Sequence, residues 1–309
     1  MAGSTIGTIF RITTWGESHG KALGVVIDGC PAGLALTEAD IQEYLDRRKP
    51  GTSSLTTPRK EADCVEILSG VFNGLTTGTP ISLMVRNTSQ HSADYDEIAS
   101  YYRPGHADYT FDEKYGFRDY RGGGRSSGRE TVGRVAAGAV AAKLLKELGI
   151  TVCAYTRSIG PVEIDPERFD RSAILSTPTA MPDLTASEAA VACLEEAKKN
   201  GDSVGGCMEC IVDGLPAGIG DPVFEKLDAN LAKAIMSIGA VKAVEIGDGC
   251  QVSRRTGSEN NDFFCLKDGE VSKRTNHAGG ILGGISDGSR ILIRAHVKPT
   301  PSIFRTQQT

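Results

Sequence analysis

The sequence predicts an α+β protein whose core consists of two related halves. The stretches "GESHGKALGVVIDGCPAG" and "GDSVGGCMECIVDGLPAG" share G-x-S-x-G, an apolar run and then D-G-x-P-A-G, and Asp28 and Asp213 are separated by 185 positions. A segment of helical period follows each copy, "LTEADIQEYLDRR" and "VFEKLDANLAKAIM", and "VEI" recurs at Val65 and Val244. Each copy therefore predicts a strand, an Asp-Gly turn, a helix and a second strand. Two such units indicate a pseudo-symmetric core of layered sheets and helices.

Further elements are predicted within and between the copies. "CMECIVDG" is predicted as a strand, and "ETVGRVAAGAVAAKLLKELG" as a helix that Ser127 and Glu130 open with a capping box. The stretch from 160 to 185 is rich in Pro and Asp and is expected to form an excursion or loop. The small residues of the helix predict tight burial at Ala136, Ala137, Gly138, Ala139, Ala141 and Ala142.

Composition places the chain among soluble globular proteins. Its 309 residues contain no apolar run of the roughly 18 residues that a membrane helix needs. The net charge of −5 argues against a nucleic-acid binder held by a global positive field. The N-terminus resembles neither a secretory signal nor a transit peptide, so a cytoplasmic location is expected.

The eight cysteines predict neither a metal site nor a redox pair. Cys207 and Cys210 form a C-x-x-C, but the predicted strand would place their side chains on opposite faces. The other six are scattered singly along the chain. All eight are therefore expected to be reduced and mostly buried thiols.

The repeat acts as an internal control for the histidine in "GESHG". His19 of the first copy has Val204 as its counterpart, so the fold does not require histidine there and a chemical role is favoured. His106, in "RPGHAD", also lies in a glycine-flanked loop, where exposure to a site is favoured over core packing. A serine hydrolase is the alternative for "GESHG", but the second copy carries the same G-x-S-x-G and no matching oxyanion or acid motif appears.

The most basic stretch, "RPGHADYTFDEKYGFRDYRGGGRSSGRET", predicts a local anion site. The glycines at 122–124 leave backbone N–H groups able to approach a ligand, and the following helix presents its positive N-terminus. Arg121, Arg125 and Arg129 add forked donors suited to phosphate or carboxylate. The alternative is a solvated basic loop paired with neighbouring carboxylates. The stretch matches neither a P-loop nor a dinucleotide fingerprint.

Two other stretches have a plain structural interpretation beside a functional one. In "RTNHAGGILGGISDGSRILIRAHVKPTPS" the glycines either let backbone lie against a flat ligand, with Lys298 and Ser302 meeting a phosphate, or form a glycine-rich hairpin. Arg47, Arg48 and Lys49 form a basic cluster typical of residues that complement a helix C-terminus.

Five stretches together resemble the chorismate synthase family: "WGESHGKALG", "RPGHADYTFDEKYGFRDYRGGGRSSGRETVGRVAAGA", "MSIGAVKAVEIGDG", "NHAGGILGGISDG" and "VKPTPS". They occur in the family's order between Ile6 and Ser302. The resemblance implies one domain over 1–309, a β-α-β sandwich with an internal pseudo-two-fold repeat that assembles as a homotetramer.

The resemblance also implies a reaction, an anti-1,4-elimination that converts the anionic small molecule 5-enolpyruvylshikimate 3-phosphate to chorismate and phosphate. Reduced FMN (FMNH2) is the implied cofactor. NADPH is expected as an indirect reductant, with an external flavin reductase as the partner that uses it, and neither nucleic acid nor membrane is an expected partner.

Roles for individual residues follow from the same resemblance. His19 and His106 match the two active-site histidines, one protonating the leaving phosphate and the other holding the reduced flavin in its productive protonation state. Arg48, Arg103 and Arg129 match ligands of the substrate's anionic groups. The residues that match flavin-binding elements are Arg125, Ser126, Ser127, Gly239, Ala240, Gly283, Lys298, Pro299, Thr300, Pro301 and Ser302.

The chain departs from the family pattern at two places. Ser54 stands where the family has a second arginine, and Arg59 is the nearest substitute. The chain ends at "SIFRTQQT", before a C-terminal family segment whose Arg and Asp complete the flavin site and help to remove the C6 proton. A non-catalytic flavin- or phosphate-binding protein is therefore one alternative to the lyase. A flavin-dependent oxidoreductase that uses NADPH directly is another, although no nucleotide fingerprint supports it.

Overall fold

The structure is a computed structural model that describes residues 3–51, 61–88 and 100–309. Within these ranges the chain forms two compact units, one comprising the residues up to Leu144 with Thr306–Thr309, and the other Leu145–Arg305. Each unit contains one five-stranded sheet and its own helices, which confirms the predicted α+β class. Ser54 and Arg59 lie outside the described residues.

Unit 1 is built on an antiparallel sheet of order β1-β2-β3-β7-β4, with β5 and β6 as a separate hairpin. Its strands are β1 (Thr5–Ile6), β2 (Arg11–Gly16), β3 (Ala22–Asp28), β4 (Val65–Ser69), β5 (Val71–Phe72), β6 (Leu75–Thr76) and β7 (Ile81–Arg86). Its helices are α1 (Glu38–Arg48), α2 (Asp108–Tyr115) and α3 (Thr131–Glu147), the last turn of α3 belonging to the second unit.

Unit 2 is built on an antiparallel sheet of order β9-β8-β10-β16-β11. Its strands are β8 (Thr151–Ile159), β9 (Val162–Glu163), β10 (Gly206–Asp213), β11 (Val241–Ile246), β12 (Phe264–Lys267), β13 (Glu270–Lys273), β14 (Ile281–Leu282), β15 (Ile285–Ser286) and β16 (Ile291–Val297). Its helices are α4 (Leu184–Lys199), α5 (Leu227–Met236) and α6 (Gly257–Asn260).

The two sheets share one topology, which confirms the repeat. The order β2-β3-β7-β4 in unit 1 corresponds to β8-β10-β16-β11 in unit 2, and the two "VEI" segments lie in β4 and β11. Asp28 and Asp213 end equivalent strands, and the glycine after each has a φ of +84° or +83°. That conformation is open to glycine at little cost, which explains the Asp-Gly turn in both copies.

Apolar residues at alternate positions of the central strands form the cores. In unit 1, Val25, Ile27 and Leu83 are buried in one cluster with Ile41 of α1 and Val140 of α3. Unit 2 has two clusters, one that includes residues of α4 and another that α5 packs against. The helices therefore cover the apolar sheet faces, as their periodicity predicts.

Several element-level predictions need correction. Of the small residues of α3, Ala136, Ala137 and Ala139 are buried, but Gly138 is exposed because it lies on the outer side of the helix. The stretch from 160 to 185 is not simply a loop, since it contains β9, two 3₁₀ turns and the start of α4. No helix in the described part of the chain is long and apolar enough to cross a bilayer.

The cysteines are all free thiols, but the expectation that most are buried is wrong. Cys30 and Cys207 are buried, four others are half-buried, and Cys64 and Cys250 are exposed. The C-x-x-C pair lies on opposite faces of β10, as predicted. Cys207 Sγ is 4.0 Å from the imidazole Nε2 of His296, whereas Cys210 packs on the apolar cluster beneath α5.

Candidate active site

The tight turn between β2 and β3 carries His19. The N–H of Gly20 donates to the carbonyl of Glu17 at 3.1 Å, which closes the turn. Ser18 is buried, and its hydroxyl donates to the carbonyl of Gly122 at 3.1 Å. The same oxygen lies 3.0 Å from Nδ1 of His19. Because the single hydroxyl proton is used by Gly122, Nδ1 is the donor in that contact, which fixes the tautomer of the neutral imidazole.

Gly122 makes room for the imidazole of His19. Its φ is +67°, and a Cβ at this position would overlap the imidazole ring. Gly123 and Gly124 also have positive φ, at +79° and +51°. The glycine run was predicted to approach a ligand. The structure shows that its first member approaches the catalytic candidate His19 instead.

Asp63 brings two of the three predicted substrate arginines together. Its side chain is fully buried, and its two oxygens accept from Arg48 Nη1 at 3.1 Å and from Arg129 Nη2 at 2.8 Å. Arg48 also donates to the Gly128 carbonyl and the Thr131 hydroxyl, both at 3.2 Å. Nη1 of Arg129 is buried and has no hydrogen-bond partner among the residues that the structure describes. An unsatisfied buried guanidinium donor is costly, and a hydrogen-bond acceptor such as an anion oxygen would satisfy it.

Asn87 links this arginine pair to the turn that carries His19. Its Oδ1 accepts from Nε of Arg129 at 2.8 Å. Its Nδ2 donates to the carbonyls of Glu17 and Gly20 at 3.1 and 2.7 Å. One side chain therefore contacts both the arginine and the histidine-bearing turn.

Arg103 and His106 form a second cluster at the start of α2. Arg103 donates to the Asp108 carboxylate through its backbone N–H, Nε and Nη2, at 3.0, 2.8 and 2.8 Å. Burial raises the pKa of Asp108, but these bonds and the nearby Arg118 outweigh burial, so the pKa is lowered. Nδ1 of His106 is 3.0 Å from the Pro104 carbonyl inside the same loop. The loop is thus closed by an ion pair that presents Arg103 and His106 together.

Arg125 and Ser126 are engaged with the protein's own backbone. Arg125 donates to the carbonyls of Gly16 and Thr14, at 3.1 and 3.2 Å, and to the Thr14 hydroxyl at 2.7 Å. The hydroxyl of Ser126 donates to the Gly123 carbonyl at 2.7 Å. These contacts fasten the glycine run onto the end of β2.

The predicted capping box at Ser127 and Glu130 does not form. Ser127 accepts from the N–H of Arg129 at 3.3 Å, in a short 3₁₀ turn that precedes α3. The carboxylate of Glu130 accepts from the Thr14 hydroxyl and from Arg134 Nε, both at 2.8 Å. Glu130 therefore has partners outside the turn, and the S-x-x-E spacing was a misleading signal here.

In unit 2 the structure brings Ala240 and the segment 298–302 together. The N–H of Lys298 donates to the Ala240 carbonyl at 3.0 Å, and Ala240 has a φ of +71°. The Thr300 carbonyl accepts from the Ser203 hydroxyl at 2.7 Å. Gly239, Pro299, Thr300 and Ser302 are exposed, whereas Lys298 and Pro301 are half-buried.

Gly283 lies elsewhere in unit 2. It and Gly284 form the two-residue turn of the β14–β15 hairpin, with φ values of +62° and +85°. Gly280, just before the hairpin, packs against the Arg290 carbonyl at the start of β16, whereas Lys298 follows the end of that strand. These glycines therefore form a hairpin, and Gly283 is not beside Ala240.

A cavity of about 350 Å³ in unit 2, lined in part by Arg157 and Arg294, lies next to a buried ionic cluster that sequence reasoning missed. The carboxylate of Glu209 accepts from Arg157 at 3.1 Å, from Arg294 at 2.6 Å and from the hydroxyl of Tyr155. Burial, followed by the Glu209 contact, raises the pKa of Tyr155. Because both arginines are neutralised by carboxylates, the cavity does not have the character of an anion site.

Asp63 and Asn87 were also missed, because each acts through contacts between residues distant in the sequence. Comparison of the two repeat copies is the signal that points to Asn87, because the other copy has an apolar residue at the equivalent position. Ala22 pairs with Arg86, and its repeat counterpart Cys207 pairs with His296, so Val297 is the equivalent of Asn87.

Comparison with known proteins places this chain in a family. A family model described as chorismate synthase matches residues 10–309. A chorismate synthase of Lachnospira eligens is 67% identical over 309 residues, covering 100% of this chain and 84% of the relative. One of Lachnoclostridium phytofermentans is 65% identical over 310 residues, with the same coverage.

A solved structure, "Crystal Structure of Chorismate Synthase", superimposes with a TM-score of 0.80 and 34% identity, covering 96% of this chain and 86% of that one. The shared fold agrees with the repeated sheet topology, and the identity extends over the whole chain. This chain therefore belongs to the chorismate synthase family, whose members are lyases.

Proposed function

We propose that this chain converts 5-enolpyruvylshikimate 3-phosphate to chorismate and inorganic phosphate by an anti-1,4-elimination. The observation that carries the proposal is the arginine pair on buried Asp63, linked to the turn that bears His19. The substrate has two carboxylates and one phosphate, and fixed guanidinium groups suit such anions. Identity of 67% to a chorismate synthase over the whole chain supports the same reaction.

Arg48, Arg103 and Arg129 bind the substrate's anionic groups in this proposal. Asp63 and Asp108 hold the three guanidinium groups in fixed orientations before the substrate arrives. Positioning that precedes binding lowers the cost of reorganisation during the reaction.

His19 is the acid that protonates the leaving phosphate. The C–O bond breaks with its electron pair leaving on the phosphate, the C6–H pair forms the new double-bond system, and the C6 proton passes to solvent. The departing oxygen takes its proton from the imidazole. Because Ser18 Oγ accepts from Nδ1, we assign the role of acid to the Nε2–H of the protonated ring.

The residues matched to flavin binding suit reduced FMN in their donor chemistry. Lys298 provides an ammonium group, and the hydroxyls of Thr300 and Ser302 lie on an exposed segment beside it. Of the other residues matched to flavin binding, residues 125–127 lie in unit 1 and Gly239, Ala240 and Gly283 lie in unit 2. In this proposal His106 maintains the flavin's protonation state. When bound, reduced FMN supplies electron density that assists C–O cleavage. We further propose that NADPH reduces the flavin indirectly through an external reductase, and that the enzyme is a cytoplasmic homotetramer.

An anaerobic assay with chemically reduced or oxidised FMN tests the proposal. Chorismate should form with reduced FMN and not with oxidised FMN. NADPH consumption without added reductase would instead favour a flavin-dependent oxidoreductase. The extent of the identity does not favour a non-catalytic flavin-binding protein, which would hold FMN without product formation.

A further inference from the structure

The side chain of Asn87 engages two functional elements through both its amide nitrogen and its amide oxygen. Nδ2 faces two carbonyl oxygens, those of Glu17 and Gly20, and Oδ1 faces the Nε–H of Arg129. Two acceptors on one side and a donor on the other require this orientation of the amide. Its backbone N–H donates to the Lys21 carbonyl at 3.1 Å, so strand β7 continues past its last residue to the turn.

Arg129 is in turn fixed from two directions. Asn87 holds Nε and Asp63 holds Nη2, both at 2.8 Å. With two of its three nitrogens engaged, the guanidinium plane cannot rotate, and Nη1 keeps a single direction. The position of Arg129 therefore depends on the same amide that holds the turn of His19.

The repeat shows that the fold does not require this amide. In unit 2 the equivalent of Asn87 is Val297, and the equivalent of His19 is Val204. The strand pairing beside the two positions is nevertheless the same in both copies. Ala22 pairs with Arg86 in unit 1, and Cys207 pairs with His296 at the equivalent place in unit 2. The amide and the histidine are present together in one copy and absent together from the other.

We propose that Asn87 is a positioning residue that sets the location of His19 relative to Arg129, the acid relative to a ligand of the substrate's anions. The proposal rests on the proposed function for the identity of the substrate. The Nδ2 bonds position the acid, whereas the Oδ1 bond positions the arginine, so the two effects are separable by substitution.

Asn87→Asp separates them. An aspartate still accepts from Arg129 but cannot donate to Glu17 or Gly20. With reduced FMN, kcat should fall about 10-fold or more, as expected when an acid is misplaced, while KM changes less than about 3-fold. Asn87→Leu loses both links, so kcat should fall and KM should rise. The control is Asn230→Asp, which removes a comparable amide donor to Glu225 on the exposed side of α5, and should leave both constants unchanged.

Steady-state kinetics are paired with an NMR titration of His19 in the wild type and in Asn87→Leu, with its signals assigned from the spectrum of His19→Ala. The imidazole signals or their titration midpoint should shift in Asn87→Leu and stay in place in Asn230→Asp. An unchanged kcat in folded Asn87→Asp, or unchanged His19 signals in folded Asn87→Leu, would overturn the proposal. If the wild type itself forms no chorismate, the proposed function fails, and the His19 titration still decides whether Asn87 positions the ring.

Discussion

His19 is the residue on which the proposed chemistry depends most directly. We expect His19→Ala to lose at least about 100-fold in turnover, the usual contribution of a general acid. Binding of FMN and substrate should persist, because the arginines and their carboxylate partners are untouched. Turnover under saturating reduced FMN and equilibrium binding of both ligands check this. Near-normal turnover would contradict the role of His19 as the acid.

Gly122 should also be sensitive to substitution, although it has no side chain that could take part in the chemistry. In Gly122→Ala the new methyl group overlaps the imidazole of His19 and the positive φ is strained. Turnover should fall about 10-fold or more, since small displacements of a catalytic group are costly.

Gly74→Ala is the matched control for Gly122→Ala. Its φ of +75° imposes the same backbone strain, but nothing lies within 4 Å of the added carbon. Turnover should stay within about 2-fold of the wild type, since the strain alone costs only about 1–2 kcal/mol of stability. Equal losses in both variants would mean that strain, and not the contact with His19, is responsible.

The sequence signals residues of this kind unevenly. His19 stands out because Val204 replaces it in the other copy. Asp63 gives no such signal, because its importance comes from accepting two arginines that are distant in the sequence. Its φ of +48° is also visible only in the folded chain.

Helix α3 offers a test at the scale of elements, because two of its glycines have opposite surroundings. A Cβ on Gly133 would lie 2.9 Å from the Gly24 carbonyl of β3, whereas Gly138 is exposed with nothing within 4 Å. Gly138→Ala should raise the free energy of unfolding by about 0.5–1 kcal/mol through helix propensity. Gly133→Ala should lower it by about 1–3 kcal/mol, because the helix must move off the strand. Urea titrations of both variants check this, and stabilisation of both would contradict the close approach of helix and strand.

The contacts that Asp262 makes with the loop before β14 predict a loss of stability in acid. Asp262 accepts from the N–H groups of His277 and Ala278 at 2.8 and 3.0 Å. Thr275 donates to it at 2.6 Å, and Lys273 lies 3.5 Å away. Burial raises the pKa of Asp262, but these partners outweigh burial and lower the pKa from 3.8 to about 2.

A carboxyl group whose pKa is lower in the folded than in the unfolded state stabilises the fold at pH values above its unfolded-state pKa. This contribution, about 2 kcal/mol, is therefore present above pH 4 and is lost as the pH falls toward 2. Asp262→Asn should be destabilised at pH 6, and its disadvantage relative to the wild type should shrink on acidification. Free energies of unfolding between pH 6 and pH 3 check this, and a pH-independent difference would contradict it.

At the scale of the whole molecule, the repeat allowed the sequence to predict the common topology of the two sheets. It could not predict where the copies diverge. The insertion of α6, β12 and β13 between β11 and β14 has no counterpart at the equivalent place in unit 1, where only Gly70 separates β4 from β5. Glu209 replaces the equivalent Gly24, and this single change places a buried carboxylate between Arg157 and Arg294. Such a cluster depends on side chains from three strands, so no local pattern announces it.

In the proposed reaction, this chain eliminates phosphate from 5-enolpyruvylshikimate 3-phosphate at a site that includes His19 and the arginines on Asp63. The most direct test is a single-turnover anaerobic reaction with reduced FMN in which chorismate and phosphate are followed together. We predict equal release of the two products by the wild type, and loss of both in His19→Ala. Absence of both products from folded wild-type protein that binds flavin, or phosphate released without chorismate, would contradict the claim.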